Sequence, residues 1–419
     1  MSVAAPEGDA LGWAVLGSVE ELGPATALAL VEACGGAAAV VARAAEDGGA
    51  SLVPLLEARR RRGAVEPALL ASRIGAAGRD APALADRLVA RGIAVGTLDD
   101  PGYPPRLRAT ADPPPVLFVR GDPAALAAPR AVAVVGTRRP TDMGRRVAGR
   151  LAGSLARAGA VVVSGLAVGI DGAAHAAAVA ESAPTVAVIG GGHDRLFPRA
   201  HARLADAIVA EGGAVVAEVG PAVEPRRYSF PRRNRVISGL AEAVVVVEAA
   251  ARSGALITAA QALEQGRGCY VVPGPLESER SAGCLRLLRE FPGLVRVVAG
   301  YAELLEDLDL GREAPGPGAV GGAPAPRAVP ADATPLGAVE SAVAAALVDG
   351  AATLDELAAR VEGSPATLLG AITLLEIRGL VVGAYGRYRP AGRLASGGIV
   401  PAGREGAPVR SRMLSSRRP

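Results

Sequence analysis

Between about residues 126 and 300 the chain repeats one pattern that few folds accommodate. Short apolar runs without helical period alternate with stretches that have it. The runs are Ala131–Val135, Ala160–Val163, Thr185–Ile189, Ala214–Ala217, Ala243–Val247 and Cys269–Val272. A strand covered on both faces reads as a continuous apolar run. Such strands alternating with helices build a parallel sheet between two helical layers. The expected fold class is therefore α/β, a Rossmann-like, doubly wound and mostly parallel sheet occupying 126–300.

The flanks read differently. Residues 1–125 form an N-terminal helical domain and a connection. Ala25–Cys34 carries apolar residues at helical spacing, and Gly23-Pro24 opens that helix. The basic run Arg59–Arg62 reads as a solvated helix end. Asp99–Pro115 is a proline-rich connection that leads into an extended Val116–Arg120. Residues 311–335 hold six Pro and five Gly in 25 positions, too little apolar surface to offset ordering, so a flexible linker is expected. Beyond it, 336–390 offers three helices (Leu336–Leu347, Leu354–Val361, Pro365–Arg378). A hairpin of Val381–Ala384 and Tyr388–Arg389 follows, which together suggests a winged-helix-like domain. Residues 391–419 read as a disordered basic tail.

Composition removes several functions. All 45 basic residues are arginine. Without lysine there is no P-loop, no Schiff-base nucleophile and no ordinary pyridoxal-phosphate site. Cys34, Cys269 and Cys284 lie far apart, so neither a disulfide framework nor a zinc finger is indicated, and a reducing, cytoplasmic setting fits. The N-terminus lacks the basic region of a signal peptide, and no apolar run of about 18 residues predicts a membrane span. No cofactor and no metal are expected. Charge is uneven: 130–300 carries 21 Arg against 14 Asp and Glu, and 391–419 carries 6 Arg against one Glu. That asymmetry predicts a basic working surface.

In an open parallel sheet, ligands bind beyond the carboxyl ends of the strands. Four loops stand there: Gly136-Thr137-Arg138-Arg139-Pro140, Ser164-Gly165 through Gly169-Ile170-Asp171, Gly190-Gly191-Gly192-His193-Asp194, and Ala251-Arg252-Ser253-Gly254. Glycine permits close backbone approach, and free N–H groups with small hydroxyls hold anions. Four such loops predict a phosphate-accepting pocket. Between the fourth and fifth runs lies Arg226-Arg227-Tyr228-Ser229-Phe230-Pro231-Arg232-Arg233-Asn234-Arg235, with five arginines and two aromatics in ten residues. Arginines track phosphates and aromatic faces stack on unpaired bases, so the segment predicts single-stranded nucleic-acid binding.

Other constellations are weaker. Asp171 and His175 stand at i and i+4 near Ser164, but no G-x-S-x-G elbow accompanies them. A helix cap and a packed histidine suffice to explain the pair. His193 and Asp194 have no recurring ligand spacing. Gly316–Gly321 matches G-x-G-x-x-G, yet it follows no strand and opens no helix. The expected recognition helix, Pro365–Arg378, carries only Glu376 and Arg378 as charges. A major-groove reader needs more donors, so this unit is expected to bind protein or its own chain.

Read together, VAVVGTRRPTDMG, VVVSGLAVGIDGAAHAAA, VAVIGGGHDRLFPRAH, the FPRRNRVISGLAEAVVVVEAAARSGALITAAQALEQGR block and VVPGPLESERSAG resemble the DprA/Smf family over roughly 100–300. The resemblance implies a Rossmann-like core, often dimeric, that binds and protects single-stranded DNA and loads a RecA-type recombinase in natural transformation. No chemical step is implied. By position, Arg138 and Arg232 match the family's main DNA-contacting basic residues. Gly136, Thr137, Ser164, Gly165, Ser253 and Gly254 match its phosphate-pocket loops. Phe230, Arg233, Asn234 and Arg235 complete the basic motif, with Arg139 and Arg252 beside it. Val168 stands where the family usually has arginine, and Cys284 where it usually has asparagine. Two alternatives share the same core: a nucleoside-phosphate hydrolase and a nucleotide-sensing module.

Overall fold

The computed structural model describes residues 4–59, 65–310, 336–349, 353–384, 387–390 and 394. The expected linker, nearly all of the expected tail and Arg60–Arg62 lie outside the described residues. The chain divides into two compact units, Met1–Glu313 and Ala314–Pro419.

The first unit is built on one nine-stranded sheet. Its strands are β1 (Ile93–Thr97), β2 (Val116–Gly121), β3 (Ala131–Val135), β4 (Val161–Ser164), β5 (Thr185–Ile189), β6 (Ala214–Ala217), β7 (Ala243–Val246), β8 (Gly268–Val271) and β9 (Val295–Val297). Their order across the sheet is β1-β2-β6-β5-β4-β3-β7-β8-β9. From β6 to β9 all neighbours are parallel; β2 joins β6, and β1 joins β2, antiparallel. The chain steps outward from β3 through β4, β5 and β6, then returns to place β7 on the other side of β3. The order thus reverses between β3 and β7, and such a switch point leaves a crevice at the strand ends. The expected doubly wound sheet is present, and strands β1 and β9 extend it.

The helices follow from apolar stripes. They are α1 (Gly8–Ser18), α2 (Pro24–Cys34), α3 (Ala37–Asp47), α4 (Val53–Glu57), α5 (Pro67–Arg79), α6 (Ala81–Ala90), α7 (Pro105–Arg108), α8 (Asp142–Arg157), α9 (Ile170–Ala180), α10 (Ala202–Ala210), α11 (Ser229–Leu240), α12 (Ala255–Glu264), α13 (Ala282–Glu290) and α14 (Tyr301–Asp307). On one face of the sheet, Val236 and Ile237 of α11, Ala259 of α12 and Leu287 of α13 pack on Ala133, Val163 and Val246. On the other, Leu151 of α8 and Ala174 of α9 pack on Val132, Val134 and Val245. The same face continues under the N-terminal helices, where Leu16, Leu30, Val40 and Ile74 meet Phe118, Ile189 and Val215. Alternate residues of one strand thereby feed different layers.

Cys269 and Cys284 are buried in the first of these clusters. Burial pushes their thiols up, to about 12 and about 11. At Cys284 the side chain serves as a small apolar filler, its Sγ 3.9 Å from the Val246 carbonyl. Cys34 is partly exposed. Among the described residues no single helix is long and apolar enough to cross a membrane; α2 and α3 reach that length together but meet at 86°.

The second unit contains α15 (Ala338–Val348), α16 (Leu354–Ala358), α17 (Pro365–Ile377) and an antiparallel hairpin of β10 (Val381–Ala384) and β11 (Arg387–Pro390). Ser364 caps α17, accepting from the Thr367 N–H at 3.2 Å, and Pro365 occupies the first helical position. Val343, Leu347, Leu357, Leu368, Ile372 and Leu375 form its core. Three helices and a hairpin give the expected winged helix.

Candidate nucleic-acid interface

The crevice between β3 and β7 holds a cavity of about 470 Å3. Gly136 and Arg138 line it after β3, Ala167 and Asp171 from the β4–α9 loop, and Ser253, Gly254 and Thr258 at the start of α12. Arg227, Phe230, Pro231, Arg233 and Asn234 close the remaining side. Three of the four loops singled out in sequence therefore meet at one place, together with the arginine-aromatic segment.

Their glycines serve close packing first. A Cβ on Gly136 would stand 2.6 Å from Ile170 Cγ1. Gly169 has a φ of +91° and backs onto the Thr137 carbonyl. The fourth loop packs elsewhere: Gly192 donates to Val223 O at 2.9 Å and Asp194 to Pro221 O at 2.9 Å. His193 Nε2 sits 3.1 Å from Phe118 O, and no group of three or more metal-ligating side chains occurs among the described residues.

Two of the expected phosphate loops already contain an internal anion. At the β4–α9 turn, Gly165 N–H donates to the Asp171 carboxylate at 3.1 Å, and the Ala167 N–H also donates to it. Ser164 Oγ donates to Val134 O at 2.6 Å, tying β4 to β3. At the start of α8, Thr141 donates to Glu248 from its N–H (2.9 Å) and its hydroxyl (2.6 Å), while Thr137 N–H donates to Glu248 O at 2.7 Å. Glu248, at the end of β7, thus fills the anion-favouring end of α8. The start of α12 differs. Gly254 is exposed, with open space where a side chain would project, and Ser253 Oγ accepts only a 3.4 Å bond from Ala255 N–H.

The arginines divide in the same way. Arg233 is buried; it donates to Gly165 O at 3.0 Å, to Val188 O, and to Asn234 Oδ1 at 3.3 Å. Burial brings its guanidinium down to about 10, offset by Asp171. Asp171 is raised by burial against the pull of Arg233. Arg235 is also buried, bonded to Asp112 and Glu218. Arg232 pairs with Glu218 at 3.0 Å and Arg226 with Glu20 at 3.1 Å. Asn234 donates to Gly254 O at 3.2 Å. Much of the FPRRNR segment therefore fastens α11 to the strand ends. Arg138, Arg139, Arg227 and Arg252 are exposed and form no ion pair among the described residues, although Arg138 is near enough to Asp171 to favour its carboxylate. Arg138 lies over the Phe230 ring, 5.1 Å from its centroid, and the Phe197 ring lies 5.8 Å from the same ring, tilted to it by 57°.

Arg227 was not among the site residues expected from sequence, although the segment containing it was. Its neighbours Arg226 and Arg232 line a second cavity of about 430 Å3 under the N-terminal helices, with Trp13, Glu20 and Tyr228. Residues 226–233 thus form a wall between two cavities. The suspected Ser164–Asp171–His175 constellation is not assembled. His175 Nδ1 lies 2.8 Å from Thr185 Oγ1, and burial lowers its imidazole to about 3.

A doubly wound sheet with an arginine-rimmed cavity at its switch point defines a Rossmann-type protein with a cationic ligand crevice. The sequence model of DNA recombination-mediator protein A matches residues 94–308, and that of the DprA winged helix domain matches 324–387. The chain belongs to the DNA recombination-mediator protein A family. It is similar to Protein Smf of Escherichia coli (46% identical over 213 residues, 51% of this chain and 56% of that one). It is similar also to DNA processing protein DprA of Bacillus subtilis (42% over 200 residues, 48% of this chain and 67% of that one). The crystal structure of DprA from Streptococcus pneumoniae superposes with a TM-score of 0.56 at 29% identity, covering 73% of this chain and 99% of that one.

Proposed function

We propose that this protein binds single-stranded DNA at the mouth of the β3–β7 cavity. The observation that carries this reading is the division of the arginines. Those that hold the fold are paired or buried, and those around the opening are exposed and form no ion pair among the described residues. A set of exposed cations without carboxylates is costly to hold together unless an anion joins them. Arg138 and Arg227 neutralise phosphates, the open start of α12 at Ser253-Gly254 seats one, and Phe230 with Phe197 offers aromatic surface to an unpaired base. Arg139 and Arg252 extend the cationic rim.

Family membership supports the wider reading: a mediator that protects the strand, loads a RecA-type recombinase and acts as a homodimer, with no chemical step. Fluorescence anisotropy of single-stranded against duplex oligonucleotides over a salt series tests it. The expected result is a single-strand preference with a steep salt slope, lost on Arg138→Ala with Arg227→Ala. Equal, weak binding by both proteins would assign the cavity to a small phosphorylated ligand instead.

A further inference from the structure

We infer that the exposed face of α8 is a second phosphate track, along which a single strand leaving the cavity mouth continues. The inference rests on the single-strand reading above and names where the rest of the ligand goes. The ligand class is the sugar-phosphate backbone of unpaired nucleic acid.

Helix α8 starts at Asp142, directly after Arg138-Arg139-Pro140-Thr141, so its first turns lie next to the cavity rim. Its apolar side is buried against the sheet and α9. Its exposed charges are Asp142, Arg145, Arg146, Arg150 and Arg157. Arg145 stands 3.8 Å from Asp142, and Arg157 pairs with Glu181. Arg146 and Arg150 have no ion pair or hydrogen bond from their guanidiniums among the described residues.

Two features of that pair work against the free helix. Arg146 and Arg150 are like charges at i and i+4, neighbours about 6 Å apart along the axis, a spacing that destabilises a helix. Arg146, in the second turn, also stands toward the end where the helix dipole disfavours cations. A solvated face would gain from an acid at either position. A polyanion laid along the face removes both costs, and one helical turn is close to the distance between successive phosphates of an extended strand. Met143, 61% exposed at the start of the helix, gives apolar surface between the rim and the track.

The test uses the full chain and anisotropy with oligothymidylates of about 5 and about 20 nucleotides, lengths spanning a typical single-strand site. The variants are Arg146→Ala with Arg150→Ala, and Arg146→Glu with Arg150→Glu. Short-oligonucleotide affinity should match that of the unaltered protein. Long-oligonucleotide affinity should fall about tenfold for the alanine pair, and its salt slope should become shallower by about 1.4, two contacts' worth. The glutamate pair should lose more. All are replacements of exposed side chains, and an unchanged or raised urea midpoint confirms folding. Equal affinities and slopes at the longer length overturn the track alone. Failure of the unaltered protein to bind the short oligonucleotide overturns the cavity reading, and the track with it.

Discussion

Arg233 and Asp171 converge on Gly165, each with a side-chain atom 2.7 Å from the point where a Cβ on that glycine would stand. A buried cation from α11 and a buried anion from α9 thereby hold the β4–α9 turn by its N–H and its carbonyl. The turn that looked like a phosphate cradle is a sealed joint beneath the cavity. Gly165→Ala should cost about 1–3 kcal/mol of stability by overpacking, read from urea denaturation; an unchanged midpoint would contradict this geometry.

Removing the cation should cost more. Arg233→Ala leaves Asp171 buried without its partner, and about 3–5 kcal/mol is expected. The deficit should depend on pH. Asp171 is raised by burial even beside Arg233, so folding takes up a proton there. Its contribution therefore falls as pH rises from the ordinary carboxylate range through the raised value. Without Arg233 the carboxyl rises further. The deficit should shrink as pH falls toward the ordinary carboxylate range, as denaturation at several pH values would show.

His175 imposes the opposite slope. It stays neutral in the fold, lowered to about 3, against 6.5 as a free side chain. Below pH 6.5 the unfolded chain takes up a proton that the folded chain refuses. Stability should fall by about 1.4 kcal/mol per pH unit from this residue alone. His175→Gln should show a slope shallower by that amount; parallel profiles would sink the assignment.

DNA binding should separate the free arginines from the paired ones. Arg138→Ala and Arg227→Ala should each weaken single-strand binding and reduce the salt slope by about 0.7. Arg232→Ala should leave the slope nearly unchanged, because Glu218 already neutralises that guanidinium. Phe230→Leu should cost about 1–3 kcal/mol of affinity if a base stacks there. A salt series by anisotropy distinguishes the four variants, and a slope change confined to Arg232→Ala would reverse the proposed division.

Glu248 anchors the loop that carries Arg138. Glu248→Ala removes the acceptor of two Thr141 bonds at the start of α8, and about 1.5–3 kcal/mol of stability should go with it. Glu248→Gln keeps an acceptor and should lose less. Thermal unfolding of both variants would order them.

The exposed side of α17 shows Leu369, Leu374 and Ile377, and Arg378 at its end lies 3.4 Å from Glu340. Among the described residues, this helix face therefore offers few of the donors that phosphates and base edges require. Residues 336–390 should give no gel shift with duplex DNA; sub-micromolar binding would overturn this.

Sequence made the strand rhythm legible because buried parallel strands leave uninterrupted valine and alanine runs. All six runs became strands to within a residue or two. Ile93–Thr97 was missed because Gly96 breaks a short run beside a proline-rich segment. Val295–Val297 was missed because Arg296 interrupts it at a sheet edge. Three of the four expected loops do meet at one cavity, but the duties of its arginines were not legible. Charge is visible in sequence, whereas the partner is not: Glu218 closes β6, far from the helix whose Arg232 and Arg235 it binds. Likewise Asp171 read as a cap, and only the fold shows which N–H groups it accepts from.

The placement of the three cysteines gives this chain a built-in handle. Two thiols are sealed in the core and held protonated, and alkylating reagents attack only an accessible thiolate. In the native protein a maleimide dye should therefore enter at Cys34 alone, at the end of α2, where Arg43 lies 3.7 Å from the sulfur. One unmutated chain can thus carry a single fluorophore, and strand capture can be followed on individual molecules without first removing a cysteine.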